Sequence, residues 1–542
     1  RPALVLANVE FDNLILCQIT SRPYSSKTAI SIKSKDFASK QGKIWDVTVP
    51  KVVAAQNLES YNLTVSVPLS FGEPTLITPQ PKSQNTSGGK VYFIFDKDQL
   101  TQSGVSAEFG TNQLFNFDLT YNLENPNLVP LVTSIALPPD TGYQDVIFQR
   151  IDPKPDNVTV DFDGNYLAWY RLHRGEKISV KVVGSSKLYS TTKAKINFLT
   201  PDQVGKYTKA DKYWERDNPA IKAKLSEILG SNPPATNSEK AKLIHRYVVN
   251  LLKYDPSRLS NSGIERLGAV TILNNPTTAV CMEFTDLFIA LARAAGIPTR
   301  ELDGFAYTSN SKLRPLSLSK DILHSWPEYF DPTRSWVMVD PTWENTTGGV
   351  DYFDKLDLNH FVFTIKGGSS QSPVPAGSYK FSGSDSHDVK VNLSEVDFLG
   401  KPQLDVSIEA ANPITAGFPD KVMVKVSNMG NAIFPGASIS LLPGKLTILD
   451  NNQSTTGPIP AFGFASFNIN VRTKTLFDSF DDNFELVIGS QTYSKDLHIR
   501  PFIVFQSFPF SAILGLAVIF VIYLAILGRF IYKKRLSKNH DA

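Results

Sequence analysis

Three side chains that lie far apart in the sequence are of the types found in a nucleophilic catalytic site. Cys281 precedes an apolar helical pattern, His324 lies within 323–330, and Asp340 lies within 336–343. A thiol becomes a nucleophile when an imidazole takes its proton, and a carboxylate can orient that imidazole and stabilise its charged form. We therefore predict Cys281 as nucleophile, His324 as general base and Asp340 as orienting acid.

Each of these residues also has an ordinary structural interpretation. A lone cysteine on a helix is most often a core residue, a single histidine usually has a structural role, and Asp340 before Pro341 suits a turn. Their joint occurrence in this order favours catalysis. Two antiparallel strands joined by a turn at 331–335 would bring His324 and Asp340 side by side, with the helix of Cys281 packed against them.

The position of Cys281 at a helix start predicts a reactive thiol. Phe284, Phe288, Leu291 and Ala295 follow at spacings of three and four, which is typical of an amphipathic helix. A thiol in the first turn faces unpaired backbone N–H groups and the positive end of the helix dipole, and both favour the thiolate. We therefore expect a lowered thiol pKa.

Four segments around these residues resemble the transglutaminase-like domain. They are Ala279–Thr285, Leu287–Arg300 with its Gly-Ile-Pro-Thr-Arg ending, His324–Tyr329 and Trp336–Thr342. The resemblance covers about Ser238 to Phe363 and implies a papain-like catalytic core, with Cys281, His324 and Asp340 in the three roles given above. The family includes transglutaminases, peptidases, peptide N-glycanases and members with no known reaction, so the resemblance implies acyl chemistry rather than one substrate.

Ala279 departs from the family pattern, which usually has glycine two residues before the cysteine. Its methyl group could crowd the backbone where the substrate approaches. An acyl-transfer intermediate also needs oxyanion donors. The Cys281 backbone N–H is one candidate, and Tyr254 and Trp326 are candidates for the second, although each also suits packing. Glu283, in the first helical turn, is interpreted as a structural or dipole-facing carboxylate.

The sequence predicts no cofactor. The other histidines show no metal-binding spacing, and no Gly-rich phosphate loop follows a strand, so we expect neither a transition-metal site nor nucleotide binding. Calcium stays open, because scattered carboxylates and carbonyls can build an oxygen site. Asp161–Asn165 carries calcium-type residues but better suits a hairpin turn. Cys17, the other cysteine, is interpreted as a strand core residue.

Composition excludes several classes of protein. The 542 residues are 42% hydrophobic and 20% charged, which is globular content sufficient for about three to five domains. The 55 basic and 52 acidic residues leave a net charge of +3, so nothing indicates a nucleic-acid partner. Two cysteines exclude a disulfide scaffold, a thiolate zinc cluster and an iron–sulfur site.

An uncharged apolar run near the C-terminus predicts a transmembrane helix. Residues 508–528 lack charge, and a helix of that length extends roughly 31 Å, enough for a bilayer core of about 30 Å. Basic residues follow in 529–542. Positive flanks stay cytoplasmic, so the preceding bulk of the chain is expected outside a cell membrane. The segment 2–7 suits either the end of a signal peptide or a first strand.

The pattern changes along the chain predict a multidomain protein. Alternating runs predict two β-sandwich-like modules over 1–103 and 104–195, and helical periods with later strands predict an α+β transglutaminase-like domain over 202–365. A Gly/Ser/Pro-rich linker over 366–402 leads to an immunoglobulin-like β-sandwich over 403–500. A transmembrane helix over 507–528 and a basic cytoplasmic tail over 529–542 complete the prediction.

Two functions from different classes fit this organisation. The first is a membrane-anchored extracytoplasmic cysteine enzyme that forms an acyl-thioester on a protein or peptide substrate. Water would make it a peptidase or amidase, and an amine would make it a transglutaminase; hydrolysis is slightly favoured because water is always available. The second is a non-catalytic adhesion or scaffold protein with a degenerate transglutaminase-like domain.

Overall fold

The described part of the chain consists mainly of strands, and these form eight sheets. The computed structural model describes residues 3–9, 13–18, 29–31, 43–47, 62–68, 76–78, 80–96, 105–194, 198–260, 265–308, 314–315, 321, 323–347, 351–354, 357–384, 386–442, 444–450, 454–502 and 510–538.

The helices lie in the middle of the chain, apart from one at its C-terminal end. Their bounds are α1 (Pro201–Thr208), α2 (Pro219–Leu229), α3 (Asn237–Leu251), α4 (Ala269–Asn274), α5 (Cys281–Ala294), α6 (Pro341–Thr346) and α7 (Phe510–Lys538), with a 3₁₀ turn at Pro256–Ser260.

The strands lie on both sides of the helices and between them. Their bounds are β1 (Ala3–Val9), β2 (Asn13–Gln18), β3 (Ala29–Ser31), β4 (Lys43–Val47), β5 (Asn62–Pro68), β6 (Leu76–Thr78), β7 (Ser83–Ser87), β8 (Lys90–Asp96), β9 (Val105–Phe109), β10 (Asn112–Glu124), β11 (Leu131–Leu137), β12 (Gln144–Asp152), β13 (Asn157–Val160), β14 (Tyr166–Leu172), β15 (Lys177–Tyr189), β16 (Thr299–Ala306), β17 (His324–Asp331), β18 (Ser335–Met338), β19 (His360–Lys366), β20 (Val389–Ser394), β21 (Leu404–Ala410), β22 (Ile414–Thr415), β23 (Asp420–Asn428), β24 (Ile439–Leu441), β25 (Thr447–Asp450), β26 (Phe464–Arg472), β27 (Phe480–Ile488) and β28 (Gln491–Arg500).

Local capping signals determine where the central helices begin and end. Asn218 caps the start of α2, and Gly230 ends it at a φ of 66°, which glycine adopts without strain. Thr236 and Glu239 form the predicted capping box of α3. The helices predicted here and after Cys281 are confirmed.

The N-terminal region contains three small sheets. β1 pairs with β2, and the other two sheets have the orders β3-β5-β8-β7 and β4-β9-β6. Of the two interpretations open for the first residues, the structure has a strand at Ala3–Val9. The predicted boundary near residue 103 lies outside the described residues, but β9 beyond it still pairs with β4. The sandwich-like modules stay predictions.

A second pair of sheets includes a strand from the predicted linker. The orders are β12-β15-β10-β20 and β11-β14-β13, and β20 pairs with β10 from Leu119↔Val389 to Leu114↔Ser394. The linker predicted over 366–402 is therefore wrong for Val389–Ser394. Apolar residues alternate with polar ones in this strand, and the surrounding Gly, Ser and Pro residues obscured that pattern.

The predicted hairpin at Asp161–Asn165 is confirmed as the connection between β13 and β14. Asp161 Oδ1 accepts the backbone N–H groups of Asp163 and Asn165, each at 2.8 Å, and Oδ2 accepts the Asn165 amide at 2.9 Å. Both carboxylate oxygens of Asp161 thus stabilise the turn.

The central antiparallel sheet has the order β18-β17-β16-β19 and carries both His324 and the approach to Asp340. Helix α5 packs on β17, where the Thr285 hydroxyl donates to the Ser325 carbonyl at 3.2 Å. Buried apolar side chains hold α5 among the other helices and the sheet, including Ile221, Ile244, Ile272, Phe284, Phe288, Tyr329 and Val337. Burial of such a side chain contributes about 1.5–3 kcal/mol, so apolar packing sets the position of α5.

A separate compact unit is formed by residues 404–427, 435–459 and 464–542. Its strands form two four-stranded sheets, of order β21-β23-β26-β25 and β22-β28-β27-β24. The strands predicted within 404–408, 422–426, 467–471 and 484–488 are present. The immunoglobulin-like arrangement predicted for 403–500 stays a prediction.

Helix α7 is long and apolar enough to cross a membrane, and its apolar stretch Leu514–Ile531 is not buried by the described protein. The helix continues past the predicted end at residue 528 through basic residues as far as Lys538. The predicted start at 507–509 and the end of the tail at 539–542 lie outside the described residues.

Gly304 is a position of the central sheet where a side chain does not fit. It lies opposite His324, and an added Cβ would come 2.0 Å from the carbonyl oxygen of Phe361. We expect Gly304→Ala to lower the free energy of unfolding by about 1–3 kcal/mol, because β16 and β19 must move apart. Thermal unfolding of the full chain in detergent measures the loss.

Gly205→Ala in α1 is the matched control, since nothing lies within 4 Å of an added Cβ there and alanine favours a helix. Equal destabilisation of the two variants would contradict the steric argument.

Candidate active site

Helix α5 begins at Cys281, and a buried carboxylate determines how the chain enters the helix. Glu283 accepts the backbone N–H groups of Val280 at 2.9 Å and Leu267 at 3.0 Å. Arg258 lies 2.8 Å from the same carboxylate and compensates its charge. Glu283 therefore has the structural position that the sequence indicates, at the N-terminus of the helix.

The thiol of Cys281 is enclosed by the protein and forms no disulfide. Burial raises the pKa of the Cys281 thiol, the backbone of Ser325 opposes the rise with a hydrogen bond to the sulfur, and the Glu283 carboxylate adds to it. The lowered pKa predicted from the helix start is therefore wrong in this structure, because burial outweighs the hydrogen bond from the Ser325 backbone. The sulfur nevertheless lies against the residue that follows His324.

The hairpin of β17 and β18 brings His324 and Asp340 together. The strands pair through Asp331↔Ser335, and Asp340 follows the end of β18. His324 Nε2 lies 2.8 Å from Asp340 Oδ2, and both side chains are wholly buried. The expected juxtaposition of these two residues is present.

Hydrogen bonds occupy both oxygens of Asp340. Oδ1 accepts the N–H groups of Thr342 at 2.9 Å and Trp343 at 3.0 Å, at the start of α6. Oδ2 accepts from His324 and, at 3.2 Å, from His360. Burial alone would raise the pKa of Asp340, but the two imidazoles outweigh burial and hold that pKa well below its usual range. The carboxylate is therefore ionised and held in one orientation.

Two indole rings hold the imidazole of His324 in place. The ring centroid lies 5.7 Å from that of Trp326 and 5.2 Å from that of Trp343, both at 22°. Within the described residues, the buried Nδ1 of His324 has no hydrogen-bond partner. Because Nε2 donates to Asp340, a neutral ring carries its lone pair on Nδ1. The site thus contains an unengaged proton acceptor.

The two candidates for the second oxyanion donor, the hydroxyl of Tyr254 and Nε1 of Trp326, are among the polar atoms that are buried without hydrogen-bond partners in the described residues. Burial raises the pKa of the Tyr254 hydroxyl, and the neighbouring Cys281 sulfur adds to the rise. Tyr254 also forms a backbone bridge with Ala279, just before the cysteine. Buried donors without acceptors are costly unless a ligand or water uses them.

The methyl group of Ala279, which departs from the family pattern, packs in the helical core. Ala279 is wholly buried among apolar residues that include Phe284 and Leu287. The backbone N–H of Asp255 donates to its carbonyl at 2.8 Å. The extra methyl is thus accommodated by packing.

The second imidazole on Asp340, that of His360, was not predicted from the sequence. His360 begins β19, and its Nδ1 lies 2.7 Å from Asp357 Oδ1. The sequence shows His360 as one of several scattered histidines. His360 reaches the site only because β19 pairs with β16, and no local sequence pattern predicts that pairing.

A buried cluster of charges holds α5 against the sheet. Arg266 pairs with Asp286 of α5 and with Glu301 of β16, and the Trp214 indole donates to Asp286 at 3.0 Å. Lys366 lies 3.1 Å from Glu301 and also pairs with a neighbouring carboxylate on β16. Opposite charges compensate one another in this cluster, as burial requires.

One group of side chains in the described part of the chain has metal-ligand spacing. It is His324, Asp340 and His360, whose facing atoms lie within 4.8 Å of one another. These atoms already share hydrogen bonds, and the side chains are wholly buried. We therefore interpret the group as a hydrogen-bonded cluster and assign it no metal.

The three candidate residues lie within a segment that matches one family model. Residues 223–341 match the model of the transglutaminase-like superfamily. An uncharacterized protein of Haemophilus influenzae is 28% identical over 241 residues, which is 40% of this chain and 63% of that relative. The chain thus spans less than two thirds of that protein's length.

Two solved structures are similar to this chain at lower identity. A proposed cysteine protease from Cytophaga hutchinsonii is 16% identical, with 52% of this chain and 98% of that one covered and a TM-score of 0.31. Red sea bream transglutaminase is 13% identical, with 71% and 80% covered and a TM-score of 0.23. These scores are too low to establish a fold shared by whole chains, so the assignment rests on the superfamily match. The chain therefore contains a transglutaminase-like domain over residues 223–341.

Proposed function

We propose that this chain is a membrane-anchored cysteine acyl-transfer enzyme with Cys281 as nucleophile, His324 as base and Asp340 as orienting acid. The observation that carries the proposal is the state of His324. One ring nitrogen donates to an ionised Asp340 at 2.8 Å, and the other is buried without a partner in the described part of the chain. A neutral imidazole held in this tautomer is prepared to accept one proton.

The reaction would proceed through an acyl-thioester. The Cys281 thiol proton passes to Nδ1 of His324 while Sγ bonds to the carbonyl carbon of an amide substrate. The C–N bond then breaks, and His324 returns the proton to the leaving amine. Water or a second amine attacks the thioester, its proton passes through His324, and the thiol is restored.

Oxyanion stabilisation is assigned to the backbone N–H of Cys281 and the hydroxyl of Tyr254. The Cys281 sulfur lies close enough to the hydroxyl to contribute to the raised pKa of Tyr254, and among described residues the hydroxyl has no acceptor. A carbonyl oxygen that becomes negatively charged would satisfy it. Trp326 Nε1 is the alternative donor, although its ring also packs on His324.

The raised pKa of the Cys281 thiol sets the order of events. A wholly buried thiol stays protonated at rest, so His324 acts as a general base during attack rather than as half of a preformed ion pair. The same burial favours the second candidate, a scaffold protein whose transglutaminase-like domain has lost its activity. The two candidates differ in what substitution of the cysteine does.

We expect Cys281→Ala to abolish both amide formation and peptide cleavage, because the thioester cannot form. The full chain in detergent is incubated with a glutamine-containing donor peptide and a labelled primary amine. Label incorporation measures transfer, and shortened peptide measures hydrolysis. Cys17→Ala is the matched control and should retain activity. Activity that survives Cys281→Ala would refute the nucleophile, and inactivity of the unmodified chain towards all donors tested would favour the scaffold.

Asp340→Asn should slow acylation by about 10³–10⁴-fold, because an amide N–H would face Nε2 of His324 and favour the wrong tautomer. Single-turnover release of the leaving amine measures this rate. Asp331→Asn is the control on the same hairpin, since Asp331 accepts turn N–H groups at 2.8 and 3.2 Å. A rate for Asp340→Asn within threefold of that of the control would argue against an orienting role.

We propose that the C-terminus lies in the cytoplasm and the rest of the chain outside, a proposal supported by the basic residues that follow the apolar part of α7. In sealed cells that express the chain, we expect added trypsin to cleave the bulk of the protein while a C-terminal epitope tag stays protected. Immunoblotting before and after permeabilisation measures this. Loss of the tag from intact cells would reverse the orientation.

A further inference from the structure

The imidazole of His360 lies between two buried carboxylates. Its Nδ1 is 2.7 Å from Asp357 Oδ1, and its Nε2 is 3.2 Å from Asp340 Oδ2. The histidine and both acids are buried. Asp357 and His360 lie on the same short segment, three residues apart, so the sequence itself builds this pair.

The hydrogen-bond pattern determines where protons must lie on this ring. Ionised carboxylates only accept hydrogen bonds, so each nitrogen of His360 that faces one must carry a proton. Asp340 Oδ1 already accepts the N–H groups of Thr342 and Trp343, so His360 faces Oδ2 alone. His360 is therefore an imidazolium. Burial alone would lower the pKa of His360, but the two carboxylates outweigh burial and raise it to about 9.

The charges of Arg314, His360, Asp357 and Asp340 balance when His324 is neutral. Arg314, which lies between β16 and β17 in the sequence, helps to lower the pKa of Asp357. Its guanidinium donates to the Tyr352 hydroxyl at 2.7 Å. Arg314 and His360 supply two positive charges, and Asp357 and Asp340 supply two negative ones. A proton on His324 would leave an excess positive charge in a site without water contact, which is costly.

Other titratable groups face the cluster from neighbouring elements. Glu344 of α6 accepts the backbone N–H of Tyr352 and interacts electrostatically with Asp340, and burial raises the pKa of Glu344 to about 7. His245 of α3 lies beyond Glu344, and burial lowers the pKa of His245 to about 3, so it is uncharged. On the side of Cys281, the carboxylates of Glu283 and Asp303 contribute to the raised pKa of the thiol. Glu283 is paired with Arg258, and Asp303 with Lys366.

We propose that His360, kept cationic by Asp357, is a positioning residue that fixes the Asp340 carboxylate and keeps His324 in its neutral, proton-accepting form. This inference rests on the proposed function, in which His324 is the base. An orienting carboxylate by itself favours a protonated imidazole, and a second cation on the same oxygen opposes that effect. The arrangement preserves the orientation of His324 while limiting its premature protonation.

Removal of the cation should move the acidic limb of the pH–rate profile. His360→Gln can keep an N–H towards Asp340 but carries no charge. The two imidazole centroids are 5.8 Å apart, and the charge of Asp357 offsets part of the effect. We therefore expect the acidic limb of kcat/KM to move to higher pH by about one unit, since His324 then accepts a solvent proton more readily.

His245→Gln is the matched control, because it removes a buried but uncharged histidine from the same domain. We expect its acidic limb to stay where it is. An unmoved limb in His360→Gln, whatever the loss in rate, would reduce His360 to a packing residue and overturn the proposal.

A direct measurement of protonation needs neither turnover nor a folded His360 variant. The full Cys281→Ala chain in detergent, with ¹⁵N in its seven histidine rings, is titrated by NMR. Spectra of variants that each lack one of the other histidines assign the signals, and His360 is assigned by elimination. At pH 7.5 we expect both nitrogens of His360 to be protonated, and His324 to carry its proton on Nε2 alone.

A neutral His360 or a protonated His324 at that pH would overturn the inference, even in a protein with full activity. Conversely, suppose that the two histidines have the expected protonation states while the unmodified chain is inactive. That result would support the inference about His360 and refute the proposed function. The two failures are therefore distinguishable.

Discussion

The carboxylate of Asp340 is the point on which the architecture of the site depends. It follows β18, caps α6 through two backbone N–H groups, and accepts the imidazoles that begin β17 and β19. Four hydrogen bonds to one wholly buried anion join four elements of the domain. A buried charge is tolerated only when it is compensated in this way. The packing of the sheet and the protonation of the imidazoles therefore depend on each other.

Local patterns in the sequence predicted the parts of the site that are close along the chain. His324 and Asp340 were found because a hairpin relates them, and the start of α5 at Cys281 follows from apolar spacing. The capping residues around 218 and 236 located the preceding helices for the same reason. Each of these signals lies within one element or one turn.

Features that depend on distant packing could not be predicted. His360 reaches the site only because β19 lies beside β16, and a linker strand was missed because its partner β10 is far away in sequence. The thiol pKa was predicted with the wrong sign for a related reason. The position of Cys281 in the helix is visible in the sequence, whereas the depth at which the helix N-terminus is buried is decided by the whole domain.

The charge cluster beneath α5 has a consequence for how this domain can change during evolution. The cations Arg266 and Lys366 pair with three buried carboxylates, those of Asp286, Glu301 and Asp303. Replacement of one member leaves an unpaired ion in the interior, while joint replacement by apolar residues can leave the stability unchanged. Mutations at these positions are therefore strongly epistatic, and viable lineages must exchange the ions together, which slows sequence drift around the segment that carries the cysteine.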